Sequence, residues 1–263
     1  MNEGERAELK FIATLGCYST KQVKFKNGTS TLVISKLETP TGQQLQTIHP
    51  YTSNITPQFI RQLDDADLVS FCSAHKISKS GPFSKADIFI NDIGYSLKYS
   101  SAMPPALINH TRRTGWEFAA LQKGVSMSNL DKLVANYWNK RLAGTIGEDI
   151  KNSDSRSPFA AHFNTLLPFL EYFTFEGTGS RVSYHPASEV IEFSDPCDIQ
   201  TWDLLNRSQL LQNLWPRFIF SMRSGKGMPS DINSVSQAEK NSIMVWAQKM
   251  QGSLKGALHV RVR

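Results

Sequence analysis

Apolar positions along the chain recur with two different periods, and the switches between them outline the elements. Leu9, Ile12 and Ala13 fall at helical spacing within residues 2–16, and Gly16 stands where a helix cap is expected. Residues 22–26 and 31–37 then alternate on either side of Asn27-Gly28, a strong hairpin signal. A stripe of Phe59, Ile60, Leu63, Leu68, Val69 and Cys72 predicts one helix over 56–73, opened by Thr56 as cap and Pro57 at the first helical position. Residues 74–84 are polar, basic and broken by glycine and proline, so they read as a loop. Residues 85–99 read as two short strands about Asn91-Asp92, and 100–115, with Pro104, Pro105 and Gly115, as irregular. Helices are expected at 116–123, 127–144 and 158–173, the second presenting Leu130, Leu133, Val134, Tyr137 and Trp138 on one face. Residues 181–194 are β-rich, 202–213 and 236–251 helical, and the closing 258–263 alternates like an edge strand. Trp138, Phe159, Phe163, Phe169, Tyr172 and Phe173 are expected in the core. The polar stretch 145–157 marks the clearest boundary, giving parts 1–145 and 146–263 that are separate or integrated in one domain.

Composition narrows the class. Of 263 residues, 40% are hydrophobic and 20% charged, which excludes a disordered chain. No apolar run reaches the roughly 18 residues of a membrane span. The opening Met-Asn-Glu-Gly-Glu-Arg is not basic-then-apolar, so a cytoplasmic protein with no membrane partner is expected. Three scattered cysteines, Cys17, Cys72 and Cys197, suit free thiols better than a disulfide frame or zinc site. The net charge of +6 is concentrated: residues 203–263 hold nine of the 29 basic residues and three of the 23 acids, the whole excess. A polyanion such as nucleic acid is the partner this favours.

The chemistry is carried by residues 85–98, Lys-Ala-Asp87-Ile-Phe-Ile-Asn-Asp-Ile-Gly-Tyr-Ser96-Leu97-Lys98. An Asp opens one strand and a Lys leaves the next, and period-2 geometry puts Ser96 and Lys98 on one face with Leu97 on the other. A carboxylate, a second oxygen and a lysine on one sheet face suit metal-assisted phosphodiester hydrolysis. The segment resembles the nuclease core of the PD-(D/E)xK superfamily, and more narrowly the type II restriction endonucleases. In those, an Asp on one strand is followed by (D/E)xK on the next. Ser96 departs from the pattern, as in the S-x-K version of HpaII-type enzymes, so a second carboxylate is expected from elsewhere. Gly4-Glu5-Arg-Ala-Glu8 resembles the Gly-Glu-x-x-Glu helix of the same group; Glu8 is favoured, with Glu5 second and Asp92 third. The continuation through Ser100, Ser101, Asn109, His110, Thr111, Arg112 and Arg113 resembles a DNA-facing loop, with His110 a proton carrier or phosphate donor. A weaker echo lies at Arg217, Arg223 and Lys226.

The resemblance covers residues 2–10 and 81–117. It implies an α/β (α+β) fold of restriction-endonuclease-like type: a mixed central sheet flanked by helices, with the site at one sheet edge. It further implies Mg²⁺, with Mn²⁺ as a substitute, held by Asp87, Glu8 and the Leu97 carbonyl, with Lys98 orienting the attacking water. The expected function is site-specific cleavage of double-stranded DNA in a bacterial cytoplasm, leaving 5′-phosphate ends. A palindromic target implies a homodimer. No Walker-type Gly-Lys-Ser/Thr motif is present, so no ATP-driven enzyme is expected. Two alternatives stay open: a DNA-binding module with a decayed nuclease core, and a structure-specific repair nuclease of the same fold.

Overall fold

The computed structural model describes residues 1–18, 21–26, 31–100, 106–225 and 228–262. In chain order the elements are α1 (Glu3–Gly16), β1 (Gln22–Lys24), β2 (Thr31–Val33), β3 (Leu37–Thr41), β4 (Gln44–Thr47), α2 (Pro57–Gln62), α3 (Asp65–Ala74), β5 (Ile88–Ile90), β6 (Ile93–Tyr99) and β7 (Ala106–Arg112). They continue with α4 (Arg113–Lys123), α5 (Ser128–Leu142), β8 (Ile150–Lys151), α6 (Phe163–Glu171) running into a π-helical turn, β9 (Glu189–Phe193) and β10 (Trp202–Asn206). The last are α7 (Arg207–Leu214), β11 (Phe218–Arg223), α8 (Gln237–Trp246), β12 (Gln248–Met250), β13 (Ser253–Lys255) and β14 (Ala257–Val262). The chain is mixed α/β, with eight α-helices among the described residues.

Two compact units emerge: Met1–Met103 with Val182–Arg207, and Pro104–Arg181 with Ser208–Arg263. A single division near 145–157 does not describe this. The reason is a long-range pairing: β9 runs parallel to β6, with Tyr95 opposite Glu189 and Tyr99 opposite Phe193, so residues 182–207 return to the first unit.

The first unit holds a six-stranded sheet in the order β10-β9-β6-β5-β3-β4. All its pairings are antiparallel except β6 with β9. Helix α1 buries Ala7, Phe11, Ile12 and Leu15. Phe11 lies 4.6 Å from the Phe193 ring and 4.2 Å from the Trp202 ring. A reciprocal capping box starts the helix: the Asn2 side chain accepts the Glu5 N–H, and the Glu5 carboxylate accepts the Asn2 N–H. Arg6 forks onto Asp65 at 2.6 and 2.9 Å, tying α1 to α3. Gly16 is the last helical residue, and a Cβ there would lie 2.4 Å from the Tyr51 ring. It permits a close approach and does not cap the helix.

The expected helix over 56–73 is two. Leu63 is extended, and Asp64 caps α3 by accepting the N–H groups of Ala66 and Asp67 at 2.9 Å each. Strands β3 and β4 were not legible as such, and Trp202–Asn206 is strand where a helix is expected. The Asn27-Gly28 turn lies outside the described residues, although β1 and β2 pair antiparallel as expected.

The second unit is built on a four-stranded antiparallel sheet, β7-β14-β11-β8. Phe218, Phe220 and Met222 pair with Val262, Val260 and Leu258 and are all buried. The C-terminal strand is therefore central, between β7 and β11, and not an edge. Much of the stretch read as irregular is β7. Residues 236–251 split into α8 and part of a β12–β13 hairpin. Asp131 on α5 collects Arg113 at 2.9 and 2.7 Å and the Trp246 indole N–H at 2.7 Å, joining α4, α5 and α8.

Candidate active site

The β5–β6 hairpin creates the site by coming apart at its open end. Asn91 and Asp92 make the closing turn with φ of 51° and 68°, and Ile88 opposes Tyr95. The Asp87 N–H still donates to the Tyr95 carbonyl at 2.8 Å. Before it the chain leaves β6, because the Lys85 and Ala86 N–H groups both turn to the His185 carbonyl at 2.9 Å. The Leu97 N–H thereby lacks a main-chain acceptor on β5. It takes the Asp87 carboxylate at 2.7 Å to Oδ2.

Both Asp87 oxygens are held. Ser80 donates to Oδ1 at 2.9 Å, and the Ser96 hydroxyl lies 3.4 Å from Oδ2. Lys98 Nζ donates to Ser96 Oγ at 2.7 Å, as expected for side chains two apart on one strand face. Ser96 is 1% exposed, so it is a fixed relay between Lys98 and Asp87.

Glu8 is the second carboxylate whose charge is felt at Asp87. It stands on α1 one turn before Ile12 and two before Leu15, half-buried at the margin of the buried stripe. Burial pushes its carboxyl up to about 8, the Asp87 charge adding to the rise and Lys79 and Lys98 opposing it. Glu8 Oε1 is buried with no hydrogen-bond partner. Glu5, in contrast, is committed: it pairs with Lys79 and closes the capping box, and these bonds hold its carboxyl below the usual value. Asp92 sits at the closed end of the hairpin, exposed and paired with Lys36 at 2.7 Å, so it is removed from the candidate set.

Sequence reasoning gave Ser80 no role, and the structure adds Lys79, whose charge acts on Glu8, and Lys85, whose charge acts on Asp87 and Lys98. Lys85 is half-buried, and burial together with repulsion from Lys98 pulls its ammonium down to about 8. A hydroxyl such as Ser80 carries no signal until the loop before β5 is folded against Asp87.

The donor set fits a hard divalent cation such as Mg²⁺. Glu8 Oε1 is an orphaned buried oxygen that lacks a proton donor or cation. Asp87 Oδ1 keeps a lone pair beyond its bond from Ser80, while Oδ2 accepts from both Leu97 and Ser96. The Leu97 carbonyl leaves β6 on the side of its N–H, which faces Asp87. Two carboxylates and a carbonyl leave the remaining positions to water and a phosphate oxygen, the usual pattern for this ion. Among the described residues no group of three or more His, Cys, Asp or Glu gathers as a metal cluster.

The expected DNA-facing residues separate into several kinds of surroundings. Ser100 is spent on the Phe193 carbonyl, at 2.9 Å from N and 3.2 Å from Oγ. Asn109, His110, Thr111, Arg112, Arg113, Arg217 and Arg223 belong to the second unit. Thr111 donates to the Asn109 carbonyl at 3.2 Å, and Arg112 pairs with Glu239. Arg113 is locked onto Asp131 and Glu117 with 14% of its side chain exposed, so its role is to hold helices together. Arg217 is exposed, and Arg223 reaches Ser221, Asp149 and Glu148. Ser101 and Lys226 lie outside the described residues. Among the described residues no helix is long and apolar enough to cross a membrane. Compared with family models, curated proteins and solved structures, the chain has no match.

Proposed function

We propose that the chain is a Mg²⁺-dependent, site-specific endonuclease of double-stranded DNA, of the restriction-endonuclease type. The observation that carries this is the open end of the β5–β6 hairpin. There Asp87 is fixed by Ser80 and the Leu97 N–H, Lys98 is fixed by Ser96, and Glu8 presents an unpartnered buried oxygen. Asp87, Glu8 and the Leu97 carbonyl would hold the ion. When bound, Mg²⁺ supplies a Lewis acid and lowers the pKa of a coordinated water.

The chain's own groups do the rest. Lys98 has three N–H donors and gives one to Ser96. The others orient the attacking water and meet the charge growing on the phosphate oxygens. Attack of that water on phosphorus with cleavage of the P–O3′ bond leaves 5′-phosphate and 3′-hydroxyl ends. The buried, fixed Ser96 spares Lys98 the cost of ordering a long side chain at the moment of reaction. A palindromic target would make the active species a homodimer, which sedimentation with and without DNA tests.

One reading competes. Ser96 in place of a carboxylate, with no three-residue metal cluster among the described residues, favours a DNA-binding module whose nuclease core has decayed. Metal titration separates the two. Cleavage that rises with Mg²⁺ or Mn²⁺ and vanishes with chelator supports the enzyme, and specific binding without cleavage supports the decayed module. A panel of flapped, branched and linear substrates tests the structure-specific alternative.

A further inference from the structure

In the second unit, the β7–β14 register shifts twice, between Leu258 and Val260 and between Val260 and Arg261, and the first shift lies at His259. Thr111 opposes Leu258 and Ile108 opposes Val260, so Asn109 and His110 together face the single residue His259. This is a β-bulge, a device that re-aims a side chain. His110 has a φ of 40°, a left-handed conformation that costs free energy in a non-glycine residue and points to function where it persists.

The bulge seats the His110 ring edge-on against His259, with centroids 4.8 Å apart and planes at 89°. His259 is 9% exposed, and its Nδ1 is buried with no partner. Ser221 opposes His259 across β14–β11, and Arg223 and Arg261 share that sheet face. Burial, then His110 and these arginines, pull the His259 imidazole down to about 4, so it is a neutral, packed support. Gly225 closes the other side; a Cβ there would come within 3.8 Å of His110 Nδ1. Asn109 beside it is exposed and His110 half-exposed. The arrangement is one half-exposed imidazole held rigidly from behind.

We infer that His110 is a specificity-determining residue: it hydrogen-bonds a base edge in bound DNA, and His259 is the residue that positions it. This rests on the DNA reading above, and it moves His110 from proton carrier to sequence reader. A fixed group that can both donate and accept suits base readout, whereas phosphate contacts are served by long flexible cations.

The test is selection of bound duplexes from a random pool in the presence of Ca²⁺ without Mg²⁺, with separate Mg²⁺ cleavage of the same pool. The variants are His110→Gly, His259→Ala and His259→Phe. Glycine relieves the strain at φ 40°, so His110→Gly folds at least as well as wild type. The expected result is a wild-type motif that His110→Gly relaxes at one base pair, by about 5- to 150-fold in preference. His259→Ala relaxes the same position, and His259→Phe, which keeps the ring seat, restores it. An unchanged motif in His110→Gly, or uniform weakening at all positions, overturns the inference. A wild-type pool with no enriched motif also overturns it. Enrichment without cleavage leaves it standing and instead removes the nuclease reading.

Discussion

Replacing Glu8 by glutamine isolates the most perturbed carboxyl of the site. Folded, Glu8 titrates near 8; its ordinary value is 4.5. Between those two pH values the native state holds a proton that the unfolded state has released. Stability therefore falls as pH rises through the window, by about 1.4 kcal/mol per pH unit, and levels off above 8. Over the whole window the loss is on the order of 5 kcal/mol. Glutamine resembles the protonated acid and does not titrate. Wild type and Glu8→Gln should then unfold at the same urea midpoint near pH 4.5, and the variant should be the more stable at pH 8. Taking the difference at each pH cancels every other titration. Mg²⁺ adds a second signal: at ten times its dissociation constant it should stabilise wild type by about 1.4 kcal/mol at pH 8, and Glu8→Gln by less. A gap between the two proteins that stays constant from pH 4.5 to 8 would refute the burial of this carboxylate.

Other outcomes follow from the same geometry. Lys98→Ala should cut DNA at least 100-fold more slowly in single-turnover assays while binding it with little change in affinity. Ser80→Ala frees Asp87 Oδ1 and should raise the Mg²⁺ concentration needed for half-maximal cleavage, with a smaller effect at saturating metal. Asp131→Ala leaves Arg113 and the Trp246 indole without their acceptor and should lower unfolding free energy by about 3 kcal/mol. Gly94→Ala would set a Cβ 2.5 Å from the Pro186 carbonyl, and the shift of β6 should cost about 1–3 kcal/mol by denaturant titration.

What the sequence disclosed was local. The hairpin about Asn91-Asp92 was readable because both residues accept positive φ. Ser96 and Lys98 were readable as one face because strand periodicity is strict. The break at Asp64 was hidden, since an acid on the polar side of a helix looks the same as an acid that caps the next one. Strand β7 was hidden behind Pro104 and Pro105, and Trp202–Asn206 passed for helix because its apolar residues fit either period. The parallel partner of β6 comes some 90 positions later in the chain, and no local pattern marks such a pairing. Glu8 and Glu5 were both candidates on one helix. Glu8 lies in register with Ile12 and Leu15 and Glu5 faces Lys79, and only the folded surroundings of α1 separate a buried acid from a capping one. The alternation of the final strand reads as an edge; in the fold Arg261 pairs with Asp149, while Val260 and Val262 fill the core.

The central claim is tested most directly by incubating supercoiled, unmethylated DNA of diverse sequence with the wild-type protein and with Asp87→Asn. The account predicts discrete fragments with 5′-phosphate ends from wild type in Mg²⁺, none with chelator, and none from Asp87→Asn. Absence of wild-type cleavage, or fragments unchanged by the Asp87 substitution, would contradict it.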